Sequence, residues 1–451
     1  MKRFSYSFLG FVGVASAIPW YTFDGPGFPA CHNVSAVYTP STIAEAAAIV
    51  KNASAAGIPV RAAGVSSSFP FLSLCCPGLT ILIPPPPRDI VHLERDQTSD
   101  TWLAATTSLG LLGIIGRIKM EILADFKVYA QQDTINEKDV FEADIYKEIS
   151  PYVTANYWWW PGVKKFHKRT YGVVPKWRLG NAFQSTFSVT ETEANLAKAL
   201  LDAGQNSSTQ NFITEGIFYA LWTPPNFHDK PTNIGLLFWP VIGWAYDVLI
   251  GGLYPNTKTQ WDYGLRAYTF EVAVPVTQAN RLFKRVRELF DEAAAEGKAV
   301  TSTYRSGINI KFGRPFDSLL GQTTTLQNDP SADWSKGAIM FDFPSYRPTT
   351  GGGRRYNEEW YVDIRSAFPA FDHLLHSLID GTYYRRYHKL EKTLTDEFPT
   401  RPHWTKCTRT VLQQSLKNLD PALLARFAKV REEFDPQKTF KSVVGEIIGV
   451  V

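Results

Sequence analysis

The chain has 451 residues, of which 44% are hydrophobic and 20% charged, the make-up of an ordinary globular protein rather than a disordered one. Its 47 basic and 43 acidic residues leave a net charge of +4, too balanced for a protein held to nucleic acid by a concentrated basic face. The length suits two or three domains.

The first residues have the pattern of a leader. Lys2 and Arg3 precede a short apolar stretch over residues 4–14, and Ala15-Ser16-Ala17 is a small-residue cleavage site. The stretch is too short to span a bilayer, so a signal peptide over residues 1–17 and a secretory route are expected. Sequons at Asn33, Asn52 and Asn206 fit that route. The four cysteines, Cys31, Cys75, Cys76 and Cys407, match no zinc spacing. In an oxidising compartment Cys31 can pair with either Cys75 or Cys76, and Cys407 reads as an inert buried thiol.

Residues 34–38 read as a short strand and residues 40–55 as a helix ended by Gly57. Buried strands are expected over 59–62 and 79–83, followed by a rigid proline run, Pro84 to Pro87. A Gly/Ser turn, Ala63-Gly64-Val65-Ser66-Ser67-Ser68-Phe69, lies between those strands. Converging backbone N–H groups and serine hydroxyls in such a turn can hold a pyrophosphate. Residues 108–115, Ser-Leu-Gly-Leu-Leu-Gly-Ile-Ile, run into an alternating strand over 117–122.

The run Tyr157-Trp158-Trp159-Trp160 is expected to be structural. Residues 233–255 are almost wholly apolar and about long enough to cross a membrane. Asp247 and Pro240 argue against a span, so a span, a membrane-surface patch and a buried hairpin all stay open. Residues 268–275 alternate as a strand. Residues 278–296 form an amphipathic helix with Leu282, Phe283, Val286 and Phe290 on one stripe. Strands are expected over 300–304, 308–312 and 338–343, and helices over 366–378, 384–394 and 421–432. Gly351 to Gly353 mark a loop. Because strands and helices do not alternate regularly, the fold class is α+β. His373, His376 and His388 read as ordinary helix or surface histidines. No acidic third ligand accompanies the first two, so no metal is expected.

The run Arg401-Pro402-His403-Trp404-Thr405-Lys406 resembles the C-terminal signature of the aldonolactone oxidases, the L-gulonolactone and D-arabinono-1,4-lactone oxidases. These are flavoproteins with a vanillyl-alcohol-oxidase (PCMH-type) FAD domain. Residues 37–64 resemble the opening β-α-β unit of that domain, and residues 108–115 its S-L-G-x-L-G-I stretch. Residues 434–442 resemble the family's closing D-P-x-x-x-F-x-N segment, with Ser442 near the Asn position. The resemblance implies a shortened FAD-binding domain over 18–128. An α+β substrate domain would follow over 129–451, its tail returning to the flavin. It places FAD against Ala63, Gly64, Val65, Ser66, Ser67, Ser68 and Phe69 and against Leu109, Gly110, Gly113 and Ile114.

Two departures stand out. The related oxidases have R-x-x-G-x-G-H-S at the first turn, whose histidine carries the flavin covalently in many of them. Here Ser66 replaces the second glycine and Ser67 the histidine, which implies noncovalent FAD. Only residues 69–108 separate the two cradle segments, and they lack the family's second glycine-rich loop.

On the substrate side, the resemblance gives Lys406 a place at the flavin and substrate. His403 would orient it or take a proton. Arg305 would be the arginine of an E-x-R strand whose glutamate position is Thr303. The implied reaction is oxidation of a sugar lactone or polyol, with O2 as acceptor. Two other readings stay open: an inactive relative or defective gene product without flavin, and a carbohydrate-binding protein that uses the Trp-rich region.

Overall fold

Charged residues set singly into apolar, alternating runs decide how the strands of this protein turn their faces. The computed structural model describes residues 36, 38, 40–60, 62, 91–116, 124–181, 190–203, 208–222, 240–249, 258, 263, 267–295, 307–327, 331–346 and 381–451. The leader, Cys31, Cys75, Cys76, the Ala63–Phe69 turn, Thr303, Arg305, the sequons at Asn33 and Asn206, and the helix expected over 366–378 lie outside them.

The strands are β1 (Lys127–Asn136), β2 (Thr154–Trp160), β3 (Lys165–Val174), β4 (Val241–Trp244), β5 (Ala267–Pro275), β6 (Ile308–Gly313), β7 (Ala338–Tyr346) and β8 (Arg401–Pro402). They form one sheet in the order β4-β1-β3-β2-β6-β7-β5-β8, and every neighbouring pair is antiparallel. The helices are α1 (Ile43–Ala55), α2 (Asp100–Ala105), α3 (Glu137–Glu142), α4 (Ile145–Ile149), α5 (Glu191–Ala203), α6 (Ser208–Trp222), α7 (Ala245–Val248), α8 (Ala279–Ala295), α9 (Gly381–Glu397), α10 (Arg409–Ser415), α11 (Pro421–Phe434) and α12 (Val443–Ile447).

Successive strand side chains point to opposite faces. Tyr157, Trp159, Phe166, Phe270, Val272, Val274, Ile308, Ile310, Ile339, Phe341 and Phe343 point to one face and join the main core. The stripe of α8 that the sequence identified, Leu282, Phe283, Val286 and Phe290, packs on this face. Trp159 is its centre. Its ring stacks on Phe166 at 5.3 Å and meets Phe141 edge-on at 5.7 Å, and its indole N–H donates to Glu137 Oε2 at 3.1 Å. The other face carries Trp158, Trp160 and the polar strand residues. Trp160 is covered by α5 and α6 through Ala197, Leu201 and Phe218.

The chain ends meet. Ile114 packs with Ala46 and Val50 of α1 and with Phe440 of the C-terminal tail. Val60 N–H donates to Thr439 O at 2.9 Å. Asp435 folds the tail loop by accepting from Thr439 N at 2.9 Å and Phe440 N at 2.7 Å, a local reason for the D-P-x-x-x-F spacing. Ser442 caps α12 by accepting from Gly445 N at 3.0 Å.

Of the apolar run over 233–255, residues 240–249 are among those described. Its described part is the edge strand β4 followed by the one-turn helix α7. Among the described residues no helix is long and apolar enough to cross a membrane. Asn181 ties β4 to the β3 exit loop, its side-chain N–H donating to Pro240 O and its side-chain oxygen accepting from Ile242 N.

Candidate functional site

Four charges converge on the polar face of the sheet. Glu271 on β5 and Asp342 on β7 are register partners across the ladder. Two carboxylates side by side repel, and two lysines resolve the conflict. Lys406 Nζ lies 2.5 Å from Glu271 Oε2 and 2.7 Å from Asp342 Oδ2. Lys311 Nζ, from β6, lies 2.7 Å and 3.3 Å from the same two oxygens. Burial would raise Glu271, but Lys311 and Lys406 override it and hold its carboxyl well below the usual range. Asp342 goes the other way: burial, with Glu271 adding to it, raises its carboxyl against the pull of Lys406. Burial alone would lower Lys406, yet the two carboxylates keep its ammonium charged above the ordinary lysine value.

The Arg401–Lys406 run divides into anchors and site groups. Arg401 is buried; its guanidinium donates to Thr324 O at 2.6 Å and lies 3.5 Å from the Trp334 ring. Trp404 is buried and its indole N–H donates to Leu320 O at 2.8 Å. With these two fixed, His403 and Lys406 turn toward the carboxylates. Thr405 N–H donates to His403 Nδ1 at 3.3 Å, which leaves the ring proton of a neutral imidazole on Nε2. Burial pushes the His403 pKa down to about 4, so the ring is neutral at physiological pH and a weak proton acceptor. Cys407 is a free, buried thiol as the sequence suggested; burial raises its pKa and its Sγ–H donates to Glu271 O at 3.0 Å.

The register extends the polar face sideways. Lys311 pairs with Asn156, and Asn156 with Arg169, which in turn pairs with Gln132. These residues therefore form one row across β6, β2, β3 and β1. Arg169 donates to Gln132 Oε1, and Tyr171 OH donates to Asn156 Oδ1 at 3.2 Å. The adjoining row holds Glu271, Asp342, Asn309, Trp158 and His167. Asp342 Oδ1 and Asn309 Oδ1 are buried and accept no hydrogen bond from any described residue. Buried acceptors without donors are costly and mark a place for a ligand or water.

The sequence named Lys406 and His403 here and missed Glu271, Asp342 and Lys311. The signal was present: a lone acid inside Phe270-Glu271-Val272 and another inside Phe341-Asp342-Phe343. The same two-residue spacing occurs at Asn309-Ile310-Lys311, and Lys311 shares both carboxylates with Lys406, whereas Thr303 and Arg305 lie outside the described residues.

Of the expected FAD contacts, Leu109, Gly110, Gly113 and Ile114 are described. Leu109 and Gly110 adopt φ values of 53° and 70°, a left-handed pair that turns the chain sharply, and glycine meets that demand without strain. A Cβ at Gly110 would meet nothing within 4 Å, so the turn leaves room for a closely approaching group. Leu109 and Leu111 are buried in the main core beside Val444 of α12. Residues 318–320 link this region to the lysine loop: Leu319 N–H donates to Leu103 O at 3.0 Å, while Leu320 O holds Trp404. Of the four, only Gly110 is exposed; Leu109, Gly113 and Ile114 are buried, Leu109 in the main core and Ile114 against Ala46, Val50 and Phe440.

Residues 365–446 match the family model of D-arabinono-1,4-lactone oxidase, a stretch that contains His403, Lys406 and the tail motif. No curated protein matches the chain. Among solved structures, a cholesterol oxidase from B. sterolicum superposes with a TM-score of 0.50 at 12% identity, over 81% of this chain and 68% of that one. A solvent-stable cholesterol oxidase gives 0.49 at 14% identity, over 80% and 66%. A chitooligosaccharide oxidase gives 0.48 at 11%, over 90% of each chain. The chain spans about two thirds of the length of these cholesterol oxidases. The fold, helices packed on one antiparallel sheet, is similar to that of the B. sterolicum cholesterol oxidase.

Proposed function

We propose that this chain, whose C-terminal segment carries the D-arabinono-1,4-lactone oxidase family model, is an FAD-dependent oxidoreductase that oxidises a hydroxyl of a sugar lactone or polyol. O2 would take up the electron pair as hydrogen peroxide. The observation that carries this reading is the polar sheet face, where Lys406, Lys311, Glu271 and Asp342 stand beside the donor-less acceptors Asp342 Oδ1 and Asn309 Oδ1. Such a surface suits a ligand with several hydroxyls and disfavours an apolar skeleton, which would leave those acceptors unpaired.

Bound FAD would supply the hydride acceptor. The chain supplies placement and proton handling. Asp342, raised by burial and open at Oδ1, is the group suited to take the hydroxyl proton. Lys406 holds Asp342 Oδ2 and balances the carboxylate's charge until the proton is taken up. Neutral His403 acts as a donor through Nε2. The cofactor would lie at Leu109, Gly110, Gly113 and Ile114 and at the serine turn 63–69, with Ser67 leaving it noncovalent. In this reading residues 18–128 form the flavin side and residues 129–451 the substrate side, after a secretory leader over 1–17.

The test begins with colour. The purified full-length protein should be yellow, release its flavin in denaturant, and be bleached anaerobically by a sugar lactone or polyol. Lys406→Ala should abolish the bleaching and leave the fold intact, because Lys311 still pairs both carboxylates. A colourless folded protein would favour a non-enzymatic carbohydrate-binding relative. Undiminished bleaching in the variant would remove Lys406 from the reaction.

A further inference from the structure

The loop over residues 175–181, which leaves β3 beside the sheet edge, has an unusual surface. Trp177 is 82% exposed and Leu179 is 88% exposed. Between them the chain alternates basic and apolar residues, Pro175-Lys176-Trp177-Arg178-Leu179-Gly180. The cations fold back over aromatic rings. Lys176 Nζ lies 6.0 Å and Lys127 Nζ 5.4 Å from the Trp244 ring centroid, and Arg178 lies 5.3 Å from that of Tyr129. The apolar side chains are left on the outside.

The loop is also held rigidly. Arg178 N–H donates to Pro175 O at 3.0 Å, closing a turn. Lys127 Nζ donates to Arg178 O at 2.6 Å. Asn181 clamps β4 twice: its N–H donates to Ile242 O at 2.9 Å, and its side-chain oxygen accepts from Ile242 N at 2.7 Å. Gly180 permits this closeness, since a Cβ there would lie 2.6 Å from Ile242 O. A fixed tip loses little conformational freedom when it docks.

We propose that this loop and the adjoining β4 edge form a docking element for an anionic lipid surface. Trp177 and Leu179 enter the boundary between headgroups and acyl chains. Trp244 and Tyr246, 38% and 36% exposed, lie at headgroup level, where amphipathic rings are favoured. Lys127, Lys176 and Arg178 bury their stems and meet the phosphates. Asp125 and Asp247 lie past the Lys127–Trp244 pair and limit the positive charge, so the apolar tip carries most of the binding. An exposed apolar tip beside cations fits a soft, negatively charged interface. The element lies on the surface; it does not cross it.

The measurement is co-sedimentation of the full-length protein with phosphatidylcholine vesicles, with and without phosphatidylserine. Wild type should pellet with the anionic vesicles and be released in part by salt. The double variant Trp177→Ala/Leu179→Ala should lower the vesicle partition coefficient by roughly tenfold or more, with an unchanged melting temperature because both side chains are exposed. Lys176→Glu/Arg178→Glu should remove the preference for phosphatidylserine. The proposal is overturned if wild type stays in the supernatant or if the double variant pellets as wild type does. It is equally overturned if the loop variants change only a concentration-dependent dimer seen by light scattering, which would make a second copy the occupant.

Discussion

The two faces of the sheet are made from the same strands and do opposite things. On the helix-covered face Trp159, Phe166, Phe283 and Phe341 interlock, and a polar intrusion, Glu137, is met by Trp159 and Arg287. On the other face two lysines and two carboxylates satisfy one another, while two acceptors are left waiting. One face is closed and serves stability; the other leaves buried acceptors unpartnered and, in the proposed function, serves a ligand. A residue's parity along its strand therefore foretells what its loss will do.

The largest expected effect breaks the open face. Asp342→Asn should slow anaerobic flavin bleaching by substrate roughly 10²- to 10⁴-fold, the range for a lost general base. Its melting temperature should move little, since Glu271 still pairs both lysines. Should the variant bleach flavin at the wild-type rate, Asp342 is not the base.

On the closed face, Trp159→Ala should cost about 3–5 kcal/mol of folding stability, read by denaturant unfolding. Activity per folded molecule should hold. If Trp159→Ala and Asp342→Asn lost stability equally, the division of labour between faces would be wrong.

The smallest effect is a pH dependence that sharpens the contrast. Half-buried His403 and fully buried His167 have pKa values pushed down to about 4 and about 3, below the unfolded value near 6.5. The unfolded chain therefore binds more protons between about pH 4 and 6.5, and stability falls as pH drops through that window. Glu271, held below its ordinary value, adds a loss only as pH falls below about 4.5. His403→Gln keeps an acceptor for Thr405 N–H and should flatten the melting temperature across the upper window. An unaltered slope would show that His403 is not buried neutral.

Much of this was legible before any coordinates. The periodicity of α1, α8, α9 and α11 marked real helices, and strands appear at 268–275, 308–312 and 338–343 where alternation put them. The Arg401–Lys406 run pointed to the site. Several features escaped, among them the long strands β1 and β3 and the helices α5 and α6 of the middle of the chain. The short elements α2, α3, α10 and α12 carry too few residues for a period to show. The Trp158-Trp159-Trp160 run carries no alternation because both of its faces are covered, so β2 was invisible as a strand.

The order of residues by itself fixed the helical stripe of α8 and the presence of Lys406 in the Arg401–Lys406 run. Only the tertiary structure decided that Lys406 is neutralised by Glu271 and Asp342, that Lys311 joins it, and that Arg401 and Trp404 are anchors. The reason is distance along the chain. Glu271, Lys311, Asp342 and Lys406 come from three strands and a loop, and strand register, which one sequence does not state, is what sets their charges side by side.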